Sequence, residues 1–365
     1  MKLSKTSLRV GLYSPYLDTF GGGERYMLTI AEQLSKDHEV DILLDKHLLT
    51  LNPQEIVKKS LQRFNLNLSK VNFRKSPLGQ GSNLVERLFF LKQYNLLFYL
   101  TDGSIFYSTA GKSILHFQAP FTNSNLGIWG RFKLSSWKLG ICNSVFTQNL
   151  IKQTWPIKTK VVYPPVGVSQ IKPLKKEKYI LSVGRFFGFL RNKKHEEMIK
   201  AFKELSLNKK KLGWSLHLVG SASEGDLPYL ADLKKIAGAN PSIFFYPNLS
   251  FDKLSKLYGQ SQIYWHAAGL GEEDPVNMEH FGITTVEAMA GGCVPVVINK
   301  GGQTEIVEDG INGFLWNNLD ELIKLTQNLI DQNPLLKQIS QKAVERSKIF
   351  SKEKFTRNID SLIND

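Results

Sequence analysis

Two glutamates, Glu279 and Glu287, frame a short loop of small and apolar residues in the run EHFGITTVEAMAGGCVPVV. A helix is predicted to begin directly after this loop, and the N–H groups at a helix N-terminus bind a phosphate well. The backbone groups concerned are those of Phe281, Gly282, Ile283 and Thr284. Gly282 would let the ligand approach the backbone closely, and Glu287 could bond to ribose hydroxyls beside the phosphate. The spacing Thr284-x-x-Glu287 is also that of a capping box, in which Glu287 would be purely structural.

Four cations stand before a second predicted helix, in the run GRFFGFLRNKKHEEMIKAF. They are Arg185, Arg191, Lys193 and Lys194. A diphosphate leaving group requires charge neutralisation, which cations on a separate loop could supply. Taken alone, however, the pattern favours a solvated start of an exposed helix.

The glycine-rich run GGGERY, residues 21–26, follows the first predicted strand. It is not GxGxxG, and no acidic residue is suitably placed after the second strand for an NAD ribose, so dinucleotide binding is not favoured. Gly22 and Gly23 could nevertheless let the backbone contact a phosphate. The alternative is a tight turn that binds no ligand.

Each of these loops follows a strand in a chain whose predicted strands and helices alternate, which is typical of parallel α/β sheets. In such sheets ligands bind beyond the carboxyl ends of the strands. The predicted strands are RVGLYSP, EVDILLD, LLFYLT, SILHFQ, LGICNS and TKVVYPP, then KYILSVG, WSLHLVG, SIFFYPN, QIYWHAA and CVPVVIN. The segment PPVGVSQIKPLKKEK between the two groups indicates a linker. We therefore expect two Rossmann-like domains, residues 1–165 and 166–349, whose loops face each other across a cleft, with a C-terminal helix at about 350–365 that packs back on the first domain.

Composition and charge narrow the class of protein. The chain has 365 residues, 42% of them apolar and 22% charged, which is typical of a globular protein. Residues 1–165 contain 21 basic and 10 acidic residues, so most of the net charge of +14 lies there. Such charge suits nucleic acid, an anionic membrane or a phosphorylated substrate, or it only keeps the protein soluble. Cys142 and Cys293 cannot form a disulfide framework, and we expect a cytoplasmic protein without a signal peptide.

The motifs together resemble a known family. EHFGITTVEAMAGGCVPVV, with its Glu-x7-Glu spacing, resembles the signature of the retaining nucleotide-sugar glycosyltransferases of family 4, which have the GT-B fold. VGRFF…NKKHEEMIKAF, NSVFTQNLI, GGQTEIVEDGINGFLW and the GGGER loop fall in the family's order, so the resemblance covers nearly the whole chain. EHFGI preceded by YWHAAGL is similar to mannosyltransferases of lipid-linked oligosaccharides and to bacterial polysaccharide-assembly enzymes.

The resemblance implies a role for each candidate residue. Glu279 would contact hydroxyls of the donor sugar and Glu287 the ribose, while Arg185 and Lys193 would bind the diphosphate. Lys193 is preferred to Lys194 because the family's lysine precedes an N/G-H-like pair, a place taken here by Lys194 and His195. The remaining implied contacts are Gly22 and Gly23 at the donor, Asn248 and Leu249 near the base, and His116 beside the reacting sugar. A core histidine at the end of a strand is the alternative for His116.

The implied reaction is transfer of a hexose from GDP-mannose or a UDP-hexose to a glycan acceptor in polysaccharide or glycolipid biosynthesis. We find no Asp-x-Asp and no convincing metal-ligand spacing, so we expect neither metal nor cofactor. Front-face displacement is the expected chemistry, with a covalent intermediate left open. Two alternatives are a non-hydrolysing sugar-nucleotide epimerase of the same fold and a basic non-catalytic protein that binds membrane or nucleic acid. The absence of interleaved aromatic and basic RNA-binding motifs disfavours nucleic acid.

The stretch NLVERLFFLKQY combines apolar residues with Arg87 and Lys92. Cations near an anionic bilayer and buried apolar side chains both favour membrane binding. We therefore expect a peripheral protein on the cytoplasmic face of a membrane, with a polyprenyl-pyrophosphate-linked glycan as acceptor. An ordinary core helix is the alternative for this stretch.

Overall fold

The computed structural model describes residues 7–122, 126–208 and 213–364, which divide into two compact units. One unit comprises Met1–Pro165 and Glu353–Asp365, and the other comprises Val166–Lys352. The division falls at the start of the proline- and lysine-rich segment that the sequence indicates as a linker. Each unit is built around its own parallel sheet.

The first unit is a seven-stranded sheet in the order β3-β2-β1-β4-β5-β6-β7. Its strands are β1 Arg9–Tyr13, β2 Glu39–Leu44, β3 Val71–Lys75, β4 Leu96–Leu100, β5 Lys112–Phe117, β6 Leu139–Cys142 and β7 Thr159–Val161. Its first helices are α1 Gly22–Leu34, α2 Pro53–Phe64, α3 Leu84–Leu91, α4 Gly127–Leu134 and α5 Val145–Thr154. The central strands are buried on both faces, which explains their nearly continuous apolar sequences.

The second unit is a six-stranded sheet in the order β10-β9-β8-β11-β12-β13. Its strands are β8 Tyr179–Val183, β9 Ser215–Gly220, β10 Ile243–Pro247, β11 Ile263–His266, β12 Val294–Ile298 and β13 Phe314–Trp316. Its helices are α6 His195–Asn208, α7 Leu227–Ala237, α8 Phe251–Gln260, α9 Ile283–Ala290, α10 Gln303–Ile306, α11 Leu319–Asp331 and α12 Asn333–Ser347. The strand order reverses between β8 and β11, so the loops after these strands border the crevice where α/β sheets bind ligands.

The last helix, α13 Lys352–Asn364, belongs to the first unit. Phe355, Ile359 and Leu362 join the core of that unit. Lys112 Nζ donates to the carbonyl of Leu362 over 2.7 Å. One apolar stripe of the helix is therefore buried on the first sheet, although the helix lies far from this sheet in sequence.

The doubly wound α/β architecture predicted from the sequence is confirmed, with differences at two edges. The sequence prediction lacked β3 and β13. Both are edge strands, β3 alternates apolar with polar residues and β13 has three residues, so neither shows a long apolar run. In the described ranges every helix is too short or too polar to span a bilayer.

Candidate active site

The candidate site of the second unit is built by the two loops that border its strand-order reversal. Residues 184–194 connect β8 to α6, and residues 267–282 connect β11 to α9. Gly184 packs on the stem of Lys193, where a Cβ would come within 2.9 Å of Lys193 Cγ. This close approach holds the lysine over the carboxyl end of β8.

Lys193 and Glu279 meet across these loops. Lys193 Nζ lies 2.7 Å from Glu279 Oε2. The same oxygen accepts a hydrogen bond from Nε2 of His266, the last residue of β11, over 3.1 Å. Glu279 Oε1 makes no hydrogen bond within the described part of the chain, and the side chain keeps 21% of its surface exposed. One carboxylate oxygen is thus fixed by the protein, and the other is available to a ligand.

The protonation states of this cluster follow from its burial and its charges. Burial acts to raise the pKa of Glu279, but Lys193 and His266 outweigh it, so that pKa lies well below its usual range. Burial, together with the charge of Lys193, lowers the pKa of His266 below its usual value, although Glu279 acts to raise it. The imidazole is therefore neutral near pH 7, with its proton on the Nε2 that faces the carboxylate. Glu279 is an ionised acceptor held between two donors.

The structure separates the four cations of this loop into two groups. Arg191 reaches Glu196 and Asp232 at 3.0 and 3.4 Å, and Lys194 pairs with Glu272. Arg185 is exposed and makes no hydrogen bond or ion pair with any residue that the structure describes. Arg185 is the one of the four without such a partner in the described part of the chain, whereas Lys193 and Lys194 each pair with a glutamate and Arg191 with two carboxylates. Binding of a diphosphate by Arg185 and Lys193 stays a prediction.

A loop of small and apolar residues leads into α9, as the sequence predicts, but the residue that caps the helix is not Thr284. The helix begins at Ile283, and Gly282 is its N-cap with φ at 119°, a backbone conformation that side chains rarely adopt. The capping-box interpretation of Thr284 and Glu287 is wrong, because Thr284 already lies inside the helix. Glu287 instead accepts a hydrogen bond from the hydroxyl of Tyr258 over 3.1 Å.

The first turn of α9 is fixed to the strands beneath it. The hydroxyl of Tyr264 in β11 donates to Thr284 Oγ1 over 2.8 Å and lies 3.5 Å from the carbonyl of Val183, at the end of β8. The N–H groups of a first helical turn have no intrahelical carbonyl four residues earlier. The N-terminal end of α9, predicted to bind an anion, and the loop that carries Lys193 therefore share one edge of the sheet. Phe281, predicted to contact the donor through its backbone, has a buried side chain that packs edge-on against Phe350 at 5.5 Å.

Asn248 and Leu249 lie beyond β10, on the same edge of the sheet. The Asn248 amide exchanges two hydrogen bonds with the backbone of Ala222, at 2.9 and 3.0 Å. It thereby joins the loop after β9 to the loop after β10, in a left-handed conformation that asparagine tolerates. The predicted contact with a base stays a prediction.

The remaining predicted residues, Gly22, Gly23 and His116, belong to the first unit. The turn predicted for the three glycines ends at Gly21, because Gly22 and Gly23 already form the first turn of α1. Glu24 stabilises the start of α1 by accepting hydrogen bonds from Gly21 N and Thr19 Oγ1, each at 2.8 Å.

His116 is buried in the core of the first unit. Its ring stacks on Tyr26 at 3.8 Å, and its two nitrogens contact Gln118 Oε1 and the carbonyl of Ile141. Burial lowers the pKa of His116 to about 4. These surroundings are those of a core histidine, which was the alternative interpretation of His116. A role beside the sugar stays a prediction.

Two polar residues of the site were missed in the sequence. His266 is 3% exposed, and its Nδ1 is buried without a partner among the described residues. Gln303 accepts from Thr285 Oγ1, while its Nε2 is buried without a described partner beside Gly282. A histidine that ends an apolar strand just before the Glu279 loop is a signal that could have revealed the first. Gln303 lies in a separate motif, so only the tertiary structure shows where it packs.

Comparison with known proteins identifies the fold of the two units and the family of one domain. Chains of the same fold include a glycosyltransferase from Rickettsia africae (TM-score 0.77, 18% identity, 98% of each chain covered). Another is Anabaena Alr3699/HepE in complex with UDP and glucose (TM-score 0.73, 17% identity, 98% of this chain and 99% of that chain covered). The two doubly wound units are therefore the GT-B architecture of glycosyltransferases. Residues 168–346 match the family described as "Glycosyl transferases group 1", so the chain contains a domain of that family.

Curated relatives extend the similarity beyond this domain. The chain is 28% identical to a mouse GDP-Man:Man(3)GlcNAc(2)-PP-Dol alpha-1,2-mannosyltransferase, and the similarity covers 86% of this chain and 78% of the mouse protein. It is 26% identical to an uncharacterized glycosyltransferase of Haemophilus influenzae, with 95% and 97% covered. The human mannosyltransferase is 30% identical over 212 residues, which cover 41% of that protein. The similarity to mannosyltransferases of lipid-linked oligosaccharides expected from the sequence is confirmed.

Proposed function

We propose that this protein is a retaining mannosyltransferase that transfers mannose from GDP-mannose to a lipid-linked glycan. The family makes it a glycosyltransferase that uses a nucleotide sugar. The choice of GDP-mannose is supported by the names of the relatives. One observation carries the mechanism: the contact of Lys193 with Glu279 beside the N-terminus of α9.

The diphosphate is the first group that this site would hold. Breaking the glycosidic bond leaves negative charge on the β-phosphate. Lys193, the exposed Arg185 and the N–H groups of the first turn of α9 supply positive charge around it. These groups are fixed before the ligand arrives, so they cost little reorganisation during the reaction. They are protein groups that neutralise the leaving group without a metal ion.

Glu279 would orient the sugar. Its Oε2 is bound by Lys193 and His266, and its Oε1 can accept hydrogen bonds from sugar hydroxyls. When the diphosphate attracts Lys193, His266 still holds the carboxylate in place. Nδ1 of His266 is buried and its Nε2 is bonded to Glu279, so His266 would not contact the sugar itself. It is therefore a positioning residue that acts through Glu279.

The transfer proposed here is a front-face displacement. The bond from the anomeric carbon to the β-phosphate oxygen breaks while the acceptor hydroxyl oxygen bonds to the same face of that carbon. The hydroxyl proton passes to the departing phosphate oxygen, so the phosphate serves as the base. This step retains the anomeric configuration and needs no carboxylate nucleophile, which agrees with a Glu279 that two protein donors already bind.

A transfer assay tests the proposed donor and the independence from metal. We expect mannose from GDP-mannose to be incorporated into polyprenyl-linked glycans with α-configuration, at the same rate with and without EDTA. UDP-glucose under the same conditions is the control and should give no more than background. Incorporation from UDP-glucose alone would overturn the donor, and loss in EDTA with recovery in Mg²⁺ or Mn²⁺ would overturn the proposed neutralisation by Arg185 and Lys193.

Glu287→Ala is expected to lower the affinity for GDP by about tenfold, because the carboxylate would lose its bonds to the ribose. Titration of the folded variant with GDP, followed by thermal shift, measures this. Tyr258→Phe is a matched control, since it removes the hydroxyl bound to Glu287 but leaves the carboxylate. A Glu287→Ala protein that is destabilised yet binds GDP normally would show that Glu287 serves only the packing of α9.

A further inference from the structure

We propose that the first unit docks on an anionic lipid bilayer through the exposed apolar sides of α3 and α4. This docking face consists of Leu84, Val85 and Phe89 on α3 and Ile128, Trp129 and Phe132 on α4. These side chains are between 53% and 86% exposed. The inference goes beyond the proposed reaction, because binding to lipid requires neither donor nor acceptor.

The α3 part of this face is not a core helix, which was the alternative interpretation of its sequence. Leu91 is the residue of α3 that is fully buried, whereas Phe89 is 70% exposed. Val85 and Phe89 are four residues apart and therefore share one side of the helix. The helix packs Phe90 and Leu91 on the unit and presents Leu84, Val85 and Phe89 outward.

The α4 part is more exposed still. Ile128 and Trp129 are 86% and 77% exposed, and Phe132 lies one turn further along. Trp129 and Phe132 contact each other edge to face with their ring centres 6.4 Å apart. Soluble proteins rarely leave such a cluster in water, and tryptophan is favoured at the boundary between lipid and water.

The two parts lie on either side of one short segment. Phe106 and Tyr107 are neighbours in the chain. The guanidinium of Arg87 in α3 stands over Phe106, 5.6 Å from the ring centre. Tyr107 stacks on Phe132 of α4 at 5.1 Å. Both helices therefore contact this one segment of the first unit, α3 at Phe106 and α4 at Tyr107.

The charge around α4 favours an anionic bilayer over a second copy of this chain as the partner of the docking face. Residues 103–165, which are a part of the first unit that follows β4 and includes α4, contain seven lysines and arginines and no aspartate or glutamate. Arg131 and Lys133 lie in the last turn of α4, and Lys138 follows it, all exposed. An apolar helix face bordered by cations is typical of binding in the plane of an anionic bilayer. A second copy of this chain would bring the same positive charge to the contact and be repelled.

Tryptophan fluorescence gives a direct test. Trp129 is exposed, whereas the other five tryptophans are at most 6% exposed. Vesicles of phosphatidylcholine and phosphatidylglycerol should shift the emission to the blue, and vesicles of phosphatidylcholine alone should shift it much less. Trp129→Leu should still sediment with the anionic vesicles but lose the shift. Absence of binding to both vesicles, or equal binding to both, would overturn the proposal.

Substitutions on the docking face test the surface itself. The triple change Ile128→Ser, Trp129→Ser and Phe132→Ser should weaken partition into anionic vesicles at least tenfold. A matched control replaces three exposed apolar residues elsewhere, Leu61→Ser, Leu207→Ser and Ile311→Ser, and should bind as the original protein does. Far-UV circular dichroism verifies that both variants fold. Equal binding by the two triple variants would contradict the assignment of the surface.

A charge reversal separates lipid from protein partners. Arg131→Glu with Lys133→Glu should weaken vesicle binding about tenfold or more at low salt, since each cation near an anionic surface contributes about fivefold. Lys58→Glu with Lys70→Glu, two exposed lysines of the first unit, is the matched control. A dimer in solution that the triple serine variant abolishes would overturn the proposal and assign the face to a second copy.

Discussion

Lys193→Ala should lower kcat/KM for sugar transfer by about 10²- to 10³-fold, and Arg185→Ala by about 10²-fold. Preorganised groups that stabilise charge in a transition state contribute on this scale. The loss should appear mainly in kcat, because the charge on the leaving phosphate grows as the bond breaks. Steady-state kinetics with the donor identified by the transfer assay measures both effects.

The neighbouring cations provide matched controls. Lys194→Ala and Arg191→Ala remove a charge from the same loop, but their ion pairs are with Glu272 and with Glu196 and Asp232. We expect each to stay within about threefold of the unaltered enzyme. If Lys194→Ala were the damaging change and Lys193→Ala harmless, the assignment of the diphosphate lysine would move by one residue.

The pH dependence of the Lys193→Ala variant gives a second readout. Lys193 is the main group that lowers the pKa of Glu279 against the effect of burial. Without it that pKa should rise, so the residual activity should fall as the pH is lowered through the new value. The unaltered enzyme should show no such loss in the same range, because its Glu279 stays ionised. Parallel pH profiles would show that Glu279 does not need its charge.

Glu279→Gln should lower turnover by about 10²-fold while leaving GDP binding unchanged or tighter. The carboxylate that would orient the sugar loses charge, and Lys193 loses the partner that competes with the diphosphate for it. Turnover is therefore expected to fall without any loss of GDP affinity. Turnover comes from steady-state kinetics and GDP affinity from thermal shift.

Glu272→Gln is the control for this change, because it removes a carboxylate paired with Lys194 in the same loop region. It should have little effect on turnover or on GDP binding. A Glu279→Gln variant in which turnover and GDP affinity fall together would mean that Glu279 only holds the loop in shape. In that case His266→Asn should also lower turnover and GDP affinity together, since His266 acts through Glu279.

Local patterns in the sequence determined the elements of this protein. Apolar runs placed eleven of the thirteen strands in the described part of the chain, most of them buried parallel strands. The alternating β3 and the three-residue β13 lack such a run and could not be placed. The loops after β8 and before α9 could be predicted as candidate anion-binding loops because charge and glycine spacing are local properties. The resemblance to a glycosyltransferase family followed from the same loops, and residues 168–346 match such a family.

Only the tertiary structure decided how residues far apart in sequence combine. Lys193 and Glu279 are 86 positions apart, and they meet because the strand order reverses between β8 and β11. The structure shows different carboxylate partners for Lys193, Lys194 and Arg191 and none among the described residues for Arg185, since the distance to a partner is not encoded in the spacing of the cations. Burial likewise depends on packing by the whole unit. It placed His116 in a core and left Trp129 in water, which the composition of either segment does not reveal.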